Sequence, residues 1–333
     1  MEAEAHTQSP DTPHGAGHTP VLAHEVLHFL APAPGETALD CTAGRGGHAR
    51  LMAQLLGAGG TIVLVDVDVE NLAASASIVR SLDRPPRVVE VHDNFAQAPR
   101  RMVELGFSAS VVLADLGVAS VHFDDPARGF SFMRPGPLDM RLDRRQPTTA
   151  ADLVNSLPEQ ELARIVRELG EERRWREVAR KLVAERATAP ITTTDRLAAI
   201  VRSVVAPAGG RGGARVGIDP ATRTFQALRI AVNDELGSLR SLMESVARSA
   251  SAFGSGARQA GSWLAPGARI GVVSFHSLED RLVKQTFTDL VRRGLARSLT
   301  RKPVEAGEPE RRVNPRSRSA KFRGVRLEIS PAN

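Results

Sequence analysis

From Glu36 to Ala114 the chain alternates short, continuously apolar runs with helical stretches, and that alternation leaves few folds open. Thr37–Asp40, Thr61–Asp66, 87–91 and 110–114 read as strands, and the segments starting near Gly47, Val69 and Phe95 as helices. Strands that are apolar along their whole length are buried on both faces, as in a parallel sheet covered by helices on each side. In such sheets ligands sit beyond the carboxyl ends of the strands, where the strand order reverses. Asp40, Asp66, Asp93 or Asn94, and Asp115 fall at four successive strand ends. Four polar positions placed in this way are much harder to reach by chance than any single motif.

The first of these ends opens a glycine-rich turn, Leu39-Asp40-Cys41-Thr42-Ala43-Gly44-Arg45-Gly46-Gly47-His48. Glycines are wanted there because a side chain would hold the backbone away from a ligand, and because some positions need positive φ. Gly44-x-Gly46-x-x-Ala49 fits the dinucleotide pattern, with Asp66 placed 20 residues beyond Gly46, where a ribose-binding acid belongs. Asp40 bears on the choice of ligand. A carboxylate before the turn repels a pyrophosphate but suits a ligand carrying an ammonium and a sulfonium, such as S-adenosylmethionine. A dinucleotide and a purely structural turn stay open on these residues alone.

Residues 18–30 read as a short helix with Pro20 near its start and Pro32 and Pro34 ending it. His24-Glu25-Val26-Leu27-His28 spells H-E-x-x-H, which on a helix sets two imidazoles on one face for zinc. A third ligand would have to be Glu36, Asp40 or His48, two of which the glycine turn already uses. The simpler reading is an amphipathic helix with exposed histidines, and no metal is expected. Cys41 is the single cysteine, which excludes an intramolecular disulfide and a cysteine-cluster zinc site. It has no evident base and reads as a small packing residue.

The net charge of +6 is unevenly placed. Between Arg292 and Arg326 there are twelve Lys/Arg against three Glu, which leaves the remainder of the chain at −3. Such a cluster is the footprint of a polyanion partner, most plausibly nucleic acid, or else a solvated basic tail. No apolar run reaches the roughly 20 residues of a membrane span, and no signal-peptide pattern opens the chain, so a cytoplasmic protein is expected. Residues 1–17 read as a disordered leader.

After Asp115 the pattern changes. Residues 116–123 lead into 124–143, which are dense in Gly, Pro and paired charges and read as a long structured loop. Ser156-Leu157-Pro158-Glu159 fits a capping box, followed by Leu162, Ile165, Val166 and Leu169 at helical spacing. A second helix carries Trp175, Val178, Ala179, Leu182 and Val183, and a third begins near Thr194. Gly209-Gly210-Arg211-Gly212-Gly213 reads as a flexible loop, and Asp219-Pro220 opens a helix carrying Phe225, Leu228, Val232, Leu236 and Leu239. The sheet resumes at 268–275, with a final strand expected at 323–329. The expected organisation is an α/β domain over 18–123 and 230–333, interrupted by a small all-helical insert domain over 124–229.

Seven blocks together resemble the signature of the bacterial MraW/RsmH family. They are His18-Thr19-Pro20-Val21-Leu22, Gly44-Arg45-Gly46-Gly47-His48, Asp115-Leu116-Gly117-Val118, Arg128-Gly129-Phe130-Ser131-Phe132-Met133, Gly136-Pro137-Leu138-Asp139-Met140-Arg141, Pro220-Ala221-Thr222-Arg223-Thr224-Phe225-Gln226-Ala227, and Ser274-Phe275-His276-Ser277-Leu278-Glu279-Asp280-Arg281. The resemblance implies a class I (Rossmann-like) methyltransferase sheet and S-adenosyl-L-methionine as cofactor. It also implies methylation of the N4 amine of a cytidine in the decoding region of 16S rRNA, with the small ribosomal subunit as partner. Carried over by position, it puts cofactor contacts on Gly46, Gly47, His48, Asp66, Phe95, Asp115 and His122, with Asp40 beside them. Ala119-Ser120-Val121-His122 departs from the family's commoner Ser-Ser-Pro-Gln. Asp115 is expected to accept from the amine or order the cofactor, with His276 or Asp280 contributing from the fifth strand. RNA contacts are expected from Arg134 and Arg141 in the loop and from Asn314, Arg316, Arg318, Lys321 and Arg323. A dinucleotide oxidoreductase, a zinc hydrolase and a non-catalytic ribosome-assembly factor are the competing classes.

Overall fold

The computed structural model describes residues 20–205, 219–254 and 262–328. The leader expected over 1–17, the loop over 209–213 and Ile329 lie outside the described residues. Eight strands form one sheet: β1 (Thr37–Asp40), β2 (Thr61–Asp66), β3 (Arg87–His92), β4 (Ala109–Asp115), β5 (Leu264–Ser274), β6 (Ala296–Ser298), β7 (Val304–Glu305) and β8 (Lys321–Leu327). Their order is β3-β2-β1-β4-β5-β8-β6, with β7 also paired to β8. The first five strands run parallel, and β8 lies antiparallel between β5 and the β6 and β7 edge. This is the Rossmann-like arrangement of a class I methyltransferase sheet. The order reverses at β1, between β2 and β4, which sets the ligand crevice over the carboxyl ends of β1 and β4.

Alternate residues along the strands serve two cores. Leu39, Val63, Val65, Val112, Ile270 and Val272 pack on one face with Leu242 and Val246 of the helix Glu235–Gly254 and Phe287 of the helix Ser277–Arg292. Ala38, Ile62, Leu64, Val111 and Leu113 pack on the other with Val26, Met52 and Val79 from the helices Ala23–Leu30, Gly47–Leu56 and Val69–Arg80. A third core, around Phe130, Leu138, Val166, Leu182, Leu197 and Leu228, is built by the helices Ala150–Ser156, Glu159–Glu168, Trp175–Thr188, Thr194–Val205 and Thr222–Asn233. Among the described residues no helix is long and apolar enough to cross a membrane.

Three local expectations are corrected. The helix expected over 18–30 begins at Ala23, because Leu22 is left-handed (φ 53°) and its N–H donates to Glu310 Oε1 at 2.8 Å. That bend turns Pro20 and Val21 towards the crevice. The capping box at Ser156 and Glu159 does not form: Ser156 ends the preceding helix, and its hydroxyl donates to the Asp152 carbonyl at 2.6 Å. The box sits instead at Thr149 and Asp152. The single helix expected from 219 to beyond 239 is two, broken at Asp234 (φ 46°). Hydrophobic spacing runs on through the break, so periodicity conceals it. Phe225 and Leu228 join the insert core and Leu239 the sheet core.

Candidate functional site

The turn after β1 is held by its own backbone. Cys41 N–H donates to the Leu113 carbonyl at 2.8 Å and Ala43 N–H to that of Val65 at 2.9 Å, tying it to both neighbouring strands. Gly46 has φ +80°, and a Cβ there would stand 2.9 Å from the Ser75 Cα, so only glycine lets the turn lie this close to the helix Val69–Arg80. Cys41 is buried in the sheet core, and burial pushes its thiol well above the usual range.

Above the turn lies a cavity of about 640 Å³, which is within the range of small-molecule and cofactor sites. One part of its wall comes from the ends of β1 to β3, with Thr42, Gly44, Asp66, Asn94 and Phe95. Another comes from the ends of β4 and β5 and the insert, with Asp115, His276, Gln226 and Arg229. Asp66 is braced by two backbone donors, Gly44 N–H at 2.8 Å and Asp68 N–H at 2.8 Å. Burial raises its pKa against those bonds.

Asp40, Thr42, Asp115 and His48 form one polar cluster. Thr42 N–H donates to Asp40 Oδ1 at 3.1 Å, and Asp115 N–H donates to Thr42 Oγ1 at 2.7 Å. His48 Nε2 stands 3.4 Å from Asp115 Oδ2. Burial pushes Asp40 up to about 7, against the pull of His48 and the Thr42 amide. Burial alone would lower His48, but the Asp115 hydrogen bond and the charges of Asp115 and Asp40 outweigh it and raise its pKa. Asp40 Oδ2 and Asp115 Oδ1 are buried and accept no hydrogen bond among the described residues.

The structure therefore brings Gly47, His48, Asp66, Phe95, Asp115, His122 and His276 to one cavity wall. Gly46 and Asp40 lie behind that wall. Two expected roles are corrected. Asp280, expected to contribute chemistry, does not line the cavity; its carboxylate takes Arg323 Nε at 2.7 Å and Nη2 at 3.1 Å. Arg323, expected at the RNA surface, is committed to the same ion pair. His276 caps the helix Ser277–Arg292, and its Nε2 lies 3.2 Å from Glu279 Oε1. Of the remaining basic residues, Arg134 and Arg318 are exposed, and Lys321 is half-buried with its Nζ 4.0 Å from Glu305. Arg316 lines the cavity mouth over the Phe123 ring and 3.5 Å from Asp124. Arg141 holds the loop together through Asp139 and the Gln146 carbonyl. Asn314 is half-buried, its carbonyl accepting from the Ser317 hydroxyl at 2.8 Å. His24 and His28 are exposed and stacked on the helix Ala23–Leu30, away from the cavity.

Sequence reasoning named His122 but missed the network that holds it, and it missed a second group altogether. Asp68, His122 and Arg128 form a buried network beside the cavity, in which the His122 bond and then the Arg128 bond hold Asp68 well below the usual carboxylate range despite burial. Arg229 pairs with Glu235 through two bonds of 2.9 Å in the cavity wall. A charged residue inside the apolar spacing of Phe225, Leu228 and Val232 was the available signal for Arg229. Nothing local pointed to Asp68, whose partners lie 54 and 60 residues away.

Residues 15–328 match the MraW methylase family. Ribosomal RNA small subunit methyltransferase H of Granulibacter bethesdensis is 43% identical to this chain over 335 residues, covering 94% of this chain and 93% of that protein. The protein of the same description from Syntrophotalea carbinolica is 44% identical over 325 residues, covering 93% and 97%.

Proposed function

Because this chain belongs to the MraW methylase family, we propose that it is an S-adenosylmethionine-dependent methyltransferase of small-subunit ribosomal RNA. Its acceptor on this reading is the N4 exocyclic amine of a cytidine in the decoding region of 16S rRNA. Supporting it is the meeting of Asp66, Asp115 and His48 in one cavity at the point where the strand order reverses. Acting on ribosomal subunits, the protein works in the cytoplasm.

The residues present fit such a cofactor. Asp66, Asp93 and Asp115 all line the cavity and would repel a pyrophosphate, whereas they suit an ammonium and a sulfonium. Bound adenosylmethionine would supply an activated methyl group. Asp66, braced by two amides, keeps lone pairs for ribose hydroxyls, and Phe95 offers a flat apolar face to adenine. Gly47 and His48 wall the methionine end.

Cytosine's amine is a weak nucleophile because its lone pair is delocalised into the ring, so alignment carries much of the rate. Asp115 Oδ1 is free to accept an amine hydrogen and so to hold the nitrogen in line. The Thr42 hydroxyl fixes the Asp115 backbone through its N–H, and His48 stands beside the other carboxylate oxygen. Arg134, Arg316, Arg318 and Lys321 are positioned for phosphates, with Arg141 setting the loop that carries Arg144 and Arg145.

Small subunits lacking the modification are the test substrate. Transfer of tritiated methyl to them, with N4-methylcytidine recovered from 16S rRNA, is the expected result. Methyl on another base, or none, would refute the reading. Adenosylmethionine but not NAD raises the melting temperature if the cofactor assignment is right.

A further inference from the structure

Asp68 belongs to no motif and does not line the cavity described above, yet its carboxylate is a meeting point of four nitrogens. Oδ1 caps the helix Val69–Arg80, accepting Glu70 N–H at 3.0 Å and Asn71 N–H at 3.4 Å. Oδ2 contacts His122 Nε2 at 2.9 Å and accepts Arg128 Nη1 at 3.0 Å. From the same guanidinium, Nη2 donates to the Arg141 and Leu142 carbonyls at 3.1 and 3.0 Å. His122 is 4% exposed, and its ring lines the cavity. Its Nδ1 is buried and has no hydrogen-bond partner among the described residues.

An ionised carboxylate only accepts, so the His122 nitrogen facing Asp68 carries the hydrogen. A neutral imidazole carries a single ring hydrogen. Nδ1 is then left as an acceptor. We infer that Asp68 is a positioning residue: it holds His122 as the Nε2–H tautomer, so that Nδ1 accepts a hydrogen bond from a hydroxyl or amino group of the cofactor's nucleoside part. Through Arg128 the same carboxylate fixes the Arg141 and Leu142 backbone, and Leu142 is itself part of the cavity wall. One buried acid thus sets a cofactor contact and the loop beside it. This rests on the reading that the cavity takes adenosylmethionine.

Nitrogen-15 spectra of histidine-labelled, unliganded protein at pH 8 report the tautomer directly, with His122→Gln identifying the resonance. The expected pattern is a protonated Nε2 and an unprotonated Nδ1. In Asp68→Asn the carboxylate is no longer a pure acceptor, and the signal moves to a mixture of tautomers. Should that variant not fold, Asp68→Glu takes its place, since it displaces the acceptor from Nε2 and the same move to mixed tautomers is expected; the wild-type spectrum alone still decides the tautomer and the His122 variants the ligand contact. Calorimetric titration with adenosylmethionine forms the second arm. His122→Gln offers an N–H to Asp68 and a carbonyl to the ligand, and binds within about threefold of wild type. His122→Leu loses about tenfold, the ordinary worth of one hydrogen bond. An Nδ1–H tautomer or an imidazolium in the wild type overturns the inference, as does a spectrum unchanged in folded Asp68→Asn or undiminished binding by His122→Leu. If the wild type binds no adenosylmethionine, the cofactor reading itself fails and takes the ligand half of the inference with it; the spectrum still decides the tautomer.

Discussion

Asp40→Asn isolates a conflict between stability and function at the glycine turn. Asp40 is 1% exposed, one oxygen accepts a single amide N–H, and the other is buried without a donor among the described residues. Burial, reinforced by the charges of Asp115 and Asp66, pushes its pKa from 3.8 to about 7. Between about pH 4 and pH 7 the folded state therefore holds a proton that the unfolded state has released. Stability falls as pH rises through that window, and above it the loss is complete. About three pKa units at 1.36 kcal/mol each come to about 4 kcal/mol. Asparagine does not titrate, although an unpaired amide hydrogen costs about 1–3 kcal/mol. Urea unfolding of the unliganded protein should then find the variant about 1–3 kcal/mol more stable than wild type at pH 8. That gap should close and then reverse towards pH 4, where the wild-type carboxyl keeps its proton and only the cost of the amide remains, about 1–3 kcal/mol, while adenosylmethionine affinity falls. A variant less stable than wild type at pH 8, or a stability difference independent of pH, would refute the reasoning.

Other outcomes follow from the same geometry. Asp115→Ala should lower methyl transfer by about 100-fold or more, whereas Asp280→Ala keeps kcat within about threefold and shows its effect, about 1–3 kcal/mol, in urea unfolding through the abandoned Arg323. Arg128→Met removes a guanidinium donor from the buried Asp68 carboxylate and should cost about 3–5 kcal/mol of stability in the same assay. Native Cys41 should resist iodoacetamide, because burial raises its thiol pKa, and should react once urea unfolds the chain; mass spectrometry reads the difference. Binding to small subunits should weaken steeply with salt, and replacing Arg134 and Arg318 together should reduce the logarithmic slope by about 2.

Much of the site was legible because it sits at strand ends. A strand's length and its apolar run are set locally, so Asp40, Asp66 and Asp115 could be placed at the rim of a parallel sheet before any tertiary contact was known. The corrections concern residues whose role depends on a distant partner. Asp280 sits in a motif beside His276, but its direction is decided by Arg323 on β8, 43 residues later. Ser156 has the chemistry of a helix cap, yet whether it opens one helix or closes another depends on how Ala150–Ser156 packs. The break at Asp234 is invisible to periodicity because apolar spacing continues across it, while the two helices serve different cores.

The sequence by itself determined a parallel sheet with helices on both faces, a glycine turn after an acid, a helical insert and a basic C-terminal region. These follow from backbone sterics, hydrophobic period and charge, all of which act over a few neighbouring residues. The tertiary structure alone decided which polar groups meet. It set Asp40 behind the cavity wall and Asp115 in it, turned Asp280 away, and drew Asp68, His122 and Arg128 into one network. Most buried polar groups find partners wherever the fold leaves them, and that search runs across the whole chain.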